Sequence, residues 1–318
     1  MKLQNIGFYT LSDERARSCS PTSPLTRCEL ILTDKCNFKC PYCRGLRSDC
    51  VGTMSLIKAQ TIVKLWTLDG LKNIRFSGGE PTLYKDLHVL VKQAKDDGVE
   101  HIAISTNGSQ SLSEYEDLIY YGVNDFSISL DACCAAFGKK MSGGVDVWDK
   151  VVNNIREISK LTYVTVGIVF TEENVGQAKE IVEFAHELGV ADIRVISSAQ
   201  YNQALSGLFD LSDKIINKHP ILNYRINNFK NEKNVRGMQK NDNHHCPLVL
   251  DDMAVAGDYH FPCIIYMREQ GNPIGKVSLN MRQERYEWYK SHDCFEDKIC
   301  QNNCLDVCIA YNNRVIGK

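Results

Sequence analysis

Six short apolar runs alternate with amphipathic stretches between residues 29 and 197. This alternation predicts parallel β-strands joined by crossover helices. The predicted strands are 29–33, 73–77, 101–106, 125–130, 162–170 and 192–197. The predicted helices include 55–68, 87–97, 147–159 and 175–188. In such an α/β fold, ligands bind at the carboxyl ends of the strands, so the residues that follow each strand are the first candidates for a site.

Three cysteines follow the first predicted strand with the spacing Cys36-x3-Cys40-x2-Cys43. Three thiolates on one short loop can bind three irons of a cubane iron–sulfur cluster and leave the fourth iron open to a small ligand. The alternatives are a zinc knuckle, a disulfide pair and cysteines that only pack. Zinc knuckles more often use paired Cys-x2-Cys units, which this loop lacks.

Polar motifs also follow the next three predicted strands. Gly78, Gly79, Glu80 and Pro81 come directly after the second strand, and their glycines allow the backbone to approach a ligand closely. A glutamate there can accept hydrogen bonds from an ammonium group. The third and fourth strands end in Ser105-Thr-Asn107-Gly and Ser127-Ile-Ser129-Leu-Asp131. Each motif alone could be an ordinary turn or helix cap, and it is their shared placement at strand ends that indicates a site.

In order and placement, these motifs resemble the signature of the radical S-adenosylmethionine (radical SAM) superfamily, including the aromatic Tyr42 before the third cysteine. The resemblance implies a partial (β/α)6 TIM-like barrel with a [4Fe-4S] cluster on Cys36, Cys40 and Cys43. It further implies contacts to the methionine amino group of S-adenosylmethionine from Gly78, Gly79, Glu80 and Pro81. Contacts to its ribose or carboxylate are implied for Ser105, Asn107, Ser129 and Asp131.

The same resemblance implies an enzyme. An electron from an external donor such as flavodoxin or ferredoxin would cleave S-adenosylmethionine to methionine and a 5′-deoxyadenosyl radical, which abstracts hydrogen from a substrate. Two further polar side chains are weighed here. Asn174 is expected to be a helix N-cap, and Arg194 on the sixth strand to face a carboxylate or a neighbouring acid.

The C-terminal region holds a second group of cysteines: Cys246, Cys263, Cys294, Cys300, Cys304 and Cys308. With Gly257 between the first two, it resembles the SPASM or twitch extension, a small α+β module that carries auxiliary iron–sulfur clusters. Ser291 stands where the first cysteine of the full SPASM core would be. Six thiolates cannot ligate two clusters completely, so one or two auxiliary clusters and a zinc site all stay open. His244 and His245 are alternative ligands, although surface positions are expected for both.

The predicted domains are an N-terminal extension 1–26, the barrel 27–200, a connector 201–243 with one helix, and the cluster domain 244–318. The other cysteines, at positions 19, 28, 50, 133 and 134, are expected to be buried as small apolar residues. The formal net charge of -2 gives no sign of a nucleic-acid partner, and no stretch is apolar enough for a membrane helix. Clustered cysteines and the lack of a secretory signal favour a reducing, cytoplasmic location.

The leading interpretation of function is modification of a peptide or protein, with a separate protein supplying recognition. The alternative is oxidation, cyclisation or rearrangement of a small metabolite or nucleoside. The GTP cyclase of molybdopterin synthesis is disfavoured, because residues 312–318 lack its C-terminal pattern. A non-catalytic iron–sulfur or zinc scaffold is a third class, against which the complete cysteine loop and Glu80 both argue.

Overall fold

The computed structural model describes residues 19–25, 27–199, 201 and 203–314. Most of the predicted N-terminal extension therefore lies outside the described residues. The chain divides into two compact units. Unit 1 contains the described residues up to 35 together with 44–103 and 236–314, and unit 2 contains 36–43 and 104–235. Each unit contains β-strands and α-helices.

In unit 1, strand β1 (Arg27–Ile31) lies between β2 (Asn73–Ser77) and β7 (Asp252–Ala256), and it pairs with both in parallel. Strands β8 (Tyr259–Phe261) and β9 (Gly275–Lys276) follow β7 in antiparallel order. All five residues of β2 are buried, as expected for a strand covered on both faces.

Unit 2 holds β4 (Asp125–Ser129), β5 (Tyr163–Phe170) and β6 (Asp192–Ser197), which pair in parallel in the order β6-β5-β4. Strand β3 (His101–Thr106) crosses the boundary between the units. Within the described residues of unit 2, β6 has one neighbouring strand and is an edge. The barrel is therefore not closed, which confirms the predicted open α/β architecture.

Twelve α-helices occur among the described residues. Those that follow strands β1 to β6 are α1 (Leu56–Leu68), α2 (Leu87–Asp96), α3 (Leu112–Tyr121), α4 (Ala135–Met141), α5 (Trp148–Leu161), α6 (Ala178–Glu187), α7 (Asp213–Lys218) and α8 (Pro220–Lys230). The cysteine-rich tail contributes α9 (Ile264–Arg268), α10 (Met281–Ser291), α11 (Lys298–Asn303) and α12 (Asp306–Asn313).

The segment predicted as a connector with one helix in fact contains two, α7 and α8. Helix α8 also buries Ile221, Leu222, Ile226 and Phe229, at the i, i+1, i+5 and i+8 positions of a continuous apolar face. Burying an apolar side chain of this size contributes about 1.5–3 kcal/mol, so α8 is part of the core of unit 2. The predicted domain boundaries themselves stay a prediction.

No helix in the described ranges is both long enough and apolar enough to span a membrane.

Candidate functional site

The three-cysteine loop belongs to unit 2 and is tied to its neighbours mainly through residues between the cysteines. The Asn37 amide donates to Ser109 Oγ at 2.8 Å and accepts from Asn107 Nδ2 at 2.8 Å. The Lys39 backbone N–H donates to the Ser142 carbonyl at 2.9 Å. The loop is thus held by protein contacts of the Asn37 side chain and of the Lys39 backbone.

Tyr42 connects the loop to the end of β4. Its hydroxyl donates to Asp131 Oδ2 at 2.5 Å, and the backbone N–H of Val169 donates to Asp131 Oδ1 at 2.7 Å. The pKa of Asp131 is raised to about 6, because the effect of burial exceeds the opposite effect of these two hydrogen bonds. Both carboxylate oxygens therefore already have donors within the protein. This arrangement gives Asp131 a role in positioning the loop, and its predicted contact with S-adenosylmethionine stays a prediction.

Asn174 does not act as the side-chain N-cap that the sequence suggests. Its side chain is fully buried and forms no capping hydrogen bond. Its Nδ2 instead donates to the carbonyls of Asp131 and Val169, at 3.2 and 2.9 Å, and its Oδ1 accepts from the Thr171 N–H at 2.7 Å. Asn174 therefore braces the turn that carries Asp131.

The glycine-rich segment after β2 lies in unit 1, next to the residues that lead into the cysteine loop. The Gly79 N–H donates to the Thr33 carbonyl at 2.7 Å, and the Glu80 N–H donates to the Lys35 carbonyl at 2.8 Å. A Cβ on Gly79 would lie much closer to the Lys35 carbonyl oxygen than van der Waals contact allows. Lys35 is covalently joined to Cys36. Glycine is thus required here for close approach to the chain that enters the loop, whatever it does for a ligand.

Glu80 is buried, with 1% of its surface exposed. Its Oε1 accepts hydrogen bonds from the Thr82 N–H at 3.1 Å and the Thr82 hydroxyl at 2.6 Å, which caps the short 3-10 turn Pro81–Leu83. A buried carboxylate needs donors or a cation around it. An ammonium group would provide such donors to Glu80, and this role of Glu80 stays a prediction.

The other predicted ligand residues lie at the ends of their strands. Ser105 is half-buried on β3, and Ser129 is exposed as the last residue of β4. Asn107 lies against the loop, because its Nδ2 is also 4.0 Å from Cys36 Sγ. The Arg194 Nη2 donates to the Ser127 hydroxyl at 3.2 Å, and the expectation that Arg194 faces a carboxylate or a neighbouring acid stays a prediction.

All fourteen cysteines lie in the described part of the chain, and none forms a disulfide. The Cys36 and Cys43 side chains are exposed and Cys40 is half-buried. Burial, followed by the nearby Asp131, raises the pKa of the Cys40 thiol to about 12. Since iron binds the thiolate, a bound cluster would have to supply the charge that keeps Cys40 deprotonated. Cys36, Cys40 and Cys43, on one braced loop, are a donor set that fits three irons of a cubane cluster.

The tail cysteines gather in unit 1 around α9 to α12. Cys294 lies next to Cys300, and interactions with both Cys246 and Cys300 raise the pKa of its thiol. Cys263 begins α9, where its Sγ accepts from the Tyr266 N–H at 3.4 Å. Cys304 ends α11 and Cys308 lies on α12. Sequence reasoning missed one member of this group, since His292 also lies beside Cys294 and Cys300.

The remaining cysteines are partly as expected. Cys28 and Cys50 are buried, Cys19 and Cys133 are half-buried, and Cys134 is exposed, so the expectation of burial is wrong for Cys134. His244 hydrogen-bonds to the Lys240 carbonyl and stacks on Phe295. His245 packs beside Tyr289.

The family model described as the radical SAM superfamily matches residues 30–185, which include the cysteine loop and the motifs after β2, β3 and β4. A probable GTP 3',8-cyclase from Sulfurisphaera tokodaii is 30% identical over 217 residues, which cover 62% of this chain and 68% of the relative. This chain belongs to the radical SAM superfamily.

A second relative of this radical SAM enzyme is a probable GTP 3',8-cyclase from Methanocaldococcus jannaschii, 31% identical over 182 residues, with 56% of this chain and 60% of the relative covered. Among solved structures, Streptococcus suis SuiB bound to precursor peptide SuiA has a TM-score of 0.63 at 16% identity, covering 90% of this chain and 76% of that one. The enzyme anSMEcpe with bound AdoMet and a peptide has a TM-score of 0.58 at 18% identity, covering 88% and 89%. At such identities these structures show the shared fold.

Radical SAM enzymes use a [4Fe-4S] cluster together with S-adenosylmethionine, and the cysteine loop offers the donors that this cluster needs. The cysteine-rich tail is consistent with an additional, auxiliary cluster. The assignment of individual ligands in both places stays a prediction.

Proposed function

We propose that this radical SAM enzyme cleaves S-adenosylmethionine reductively and abstracts hydrogen from a small metabolite, with purine nucleotides as the first class to test. The observation that carries this proposal is the 30% identity over 217 residues with a probable GTP 3',8-cyclase. The leading sequence-based interpretation, peptide modification, gives way to its alternative. The sequence-based objection to a cyclase is outweighed by the same match, and residues 315–318, on which it partly depends, lie outside the described residues.

The likeness to SuiB does not favour a peptide substrate. That structure holds a precursor peptide, but its 16% identity to this chain supports a common fold and nothing finer. A peptide substrate is therefore an outcome for the assay to detect.

In this proposal, the bound cluster and S-adenosylmethionine supply the radical, and the protein supplies position and shielding. Asn37 and Tyr42 hold the cysteine loop through Asn107, Ser109 and Asp131. Glu80 offers a buried carboxylate for the ammonium of S-adenosylmethionine.

The test uses the full chain, reconstituted without oxygen and reduced with dithionite, so that the natural flavodoxin or ferredoxin donor is not needed. Formation of 5′-deoxyadenosine is measured alone, with GTP and other nucleotides, and with short peptides. We expect nucleotides to increase deoxyadenosine formation and to yield a new product by mass spectrometry. The Cys36/Cys40/Cys43→Ala variant should form none.

Glu80→Gln is the matched variant for cofactor binding. It keeps the acceptor for Thr82 but removes the negative charge, so we expect weaker binding of S-adenosylmethionine with the cluster retained. Stimulation by peptides alone would contradict the substrate proposal. A wild-type protein that holds its cluster but never forms deoxyadenosine would instead indicate the scaffold class.

A further inference from the structure

His292 lies directly after α10 with its ring fixed by aromatic neighbours. The imidazole stacks on Trp288, with ring centroids 4.0 Å apart and planes 19° apart, and it meets Tyr266 edge-on at 6.2 Å. Its backbone N–H donates to the Trp288 carbonyl at 2.9 Å. A histidine held this way has lost most of its rotamer freedom, so the direction of its ring nitrogens is set by the fold.

The fixed ring lies against tail thiols. An imidazole nitrogen of His292 and the Sγ atoms of Cys294 and Cys300 all lie within 4.8 Å of one another. Cys246 lies close enough to Cys294 to raise the pKa of the Cys294 thiol. Two thiols and one imidazole therefore form one compact group, and a further thiol adjoins it.

One nitrogen of this ring is buried without a hydrogen bond. Within the described residues, His292 Nε2 forms no hydrogen bond of acceptable geometry, although Asp297 Oδ2 is 3.2 Å away. Asp297 is already engaged, since its Oδ2 accepts from the Tyr266 hydroxyl at 2.8 Å and its Oδ1 from the backbone of α11. The same ring lies beside the Cys300 thiol, so His292 and Cys300 are placed to bind a common ligand.

The neighbouring residue does not offer a donor to the thiols. Ser291 stands where the first cysteine of a full SPASM core would be, but its hydroxyl donates to the Glu287 carbonyl of its own helix at 2.8 Å and is exposed. The side chain one position later, His292, is the one that reaches Cys300.

We propose that His292 is a metal ligand, and that with Cys294 and Cys300 it forms the core of a donor set for a thiophilic metal centre, to which Cys246, beside Cys294, offers a further thiolate. Thiolates around one tetrahedral ion lie about 3.8 Å apart when each metal–sulfur bond is about 2.3 Å. The donor atoms of His292, Cys294 and Cys300 all lie within 4.8 Å of one another, which is close enough for them to bind one ion. Imidazole and thiolate suit both the iron of an iron–sulfur centre and zinc. Loading releases the thiol protons, since the metal binds the thiolate form.

The test places His292→Ala and His292→Cys in the full-length Cys36/Cys40/Cys43→Ala background, so that only tail metal is counted. His245→Ala is the matched control, because it removes a neighbouring histidine whose ring packs on Tyr289 and contacts His292 through a hydrogen bond of its Nδ1 to the His292 backbone carbonyl. Iron, zinc and sulfide are measured after anaerobic reconstitution. Pulsed EPR of the reduced centre is recorded with ¹⁵N-labelled histidine.

For an iron–sulfur centre, we expect a histidine nitrogen coupling that His292→Ala and His292→Cys abolish and His245→Ala retains. His292→Cys should retain the metal with a spectrum typical of all-thiolate ligation. For zinc, we expect loss of the bound zinc in His292→Ala, retention in His292→Cys, and a changed absorption spectrum after cobalt substitution.

The proposal is overturned if metal content and spectra in both His292 variants equal those of the background protein, or if His245→Ala abolishes the coupling. Circular dichroism identifies a variant that has failed to fold, in which case His292→Cys decides the result. None of these measurements depends on catalysis, so they stand apart from the test of the proposed substrate.

Discussion

The hydroxyl of Tyr42 provides a sharp test of how the cysteine loop is held. Tyr42→Phe removes one oxygen atom and keeps the ring. Asp131 Oδ2 then loses a donor at 2.5 Å while the carboxylate stays buried. A hydrogen bond to a charged group contributes about 1.5–3 kcal/mol. That range corresponds to a change of about 10- to 150-fold in the equilibrium that holds the loop in place.

Iron release to a chelator reports on this equilibrium, because the cluster is exposed to attack when the loop opens. We expect the cluster on Cys36, Cys40 and Cys43 to release iron about tenfold faster or more in Tyr42→Phe at pH 8. Metal held by the tail should be released at the wild-type rate, which provides an internal reference.

Tyr84→Phe is the matched control. The Tyr84 side chain is buried and that of Tyr42 is half-buried, but the Tyr84 hydroxyl has no hydrogen-bond partner in the part of the chain that the structure describes. Removing that oxygen should therefore leave iron release unchanged or slightly slower.

A double-mutant cycle with Asp131→Asn assigns the effect to this pair. If the contact acts as described, the combined variant should lose about 1–3 kcal/mol less than the sum of the two single variants. Additive effects, or equal iron release in Tyr42→Phe and Tyr84→Phe, would refute a positioning role for the hydrogen bond.

Three further outcomes follow from the geometry. Gly79→Ala should reduce cluster loading several-fold because its Cβ would overlap the Lys35 carbonyl, whereas Gly176→Ala, with open space around it, should not; iron analysis compares them. Arg285→Met should lower the free energy of unfolding by about 3 kcal/mol or more, since the buried guanidinium donates to the Val249 and Phe261 carbonyls at 2.8 and 2.9 Å. Anaerobic urea unfolding measures this loss. Burial raises the pKa of Asp192 from 3.8 to about 7, so its ionisation opposes folding increasingly as pH rises between these values. The free energy of unfolding of Asp192→Asn, relative to that of wild type, should therefore increase by about 2.5 kcal/mol from about pH 5 to pH 8. A difference between the two proteins that does not change with pH would contradict this assignment.

The strands of the barrel could be predicted closely from the sequence. The predicted bounds of β2, β3 and β6 coincide with the observed ones, and β5 begins one residue later than predicted. Parallel strands buried on both faces appear as continuous apolar runs, a local signal that needs no knowledge of tertiary contacts. The same signal could not reveal that β7 pairs with β1, because that pairing joins residues more than two hundred positions apart in sequence.

Side-chain roles were harder to predict where one residue type serves two purposes. Asparagine before a helix usually caps it, and Asn174 has the right sequence context. Its buried amide instead forms hydrogen bonds with three backbone groups, the carbonyls of Asp131 and Val169 and the N–H of Thr171. Likewise Asp131 follows a strand end as a ligand residue would, but Tyr42 and Val169 occupy its oxygens.

The two cysteine regions differ in predictability for a related reason. Cys36, Cys40 and Cys43 lie on one loop, so their spacing alone defines a donor set. The tail donors come from separate segments, and the orientation of each depends on where a helix ends. Helix α10 ends at Ser291, and the backbone becomes extended at His292. A shift of one residue at that point decides which side chain faces the thiols. The SPASM pattern has a cysteine where this chain has Ser291, so the sequence alone suggests that one ligand is missing. In the fold, His292 supplies a donor beside the thiols instead. The number of ligands in the proposed tail centre therefore depends on tertiary structure.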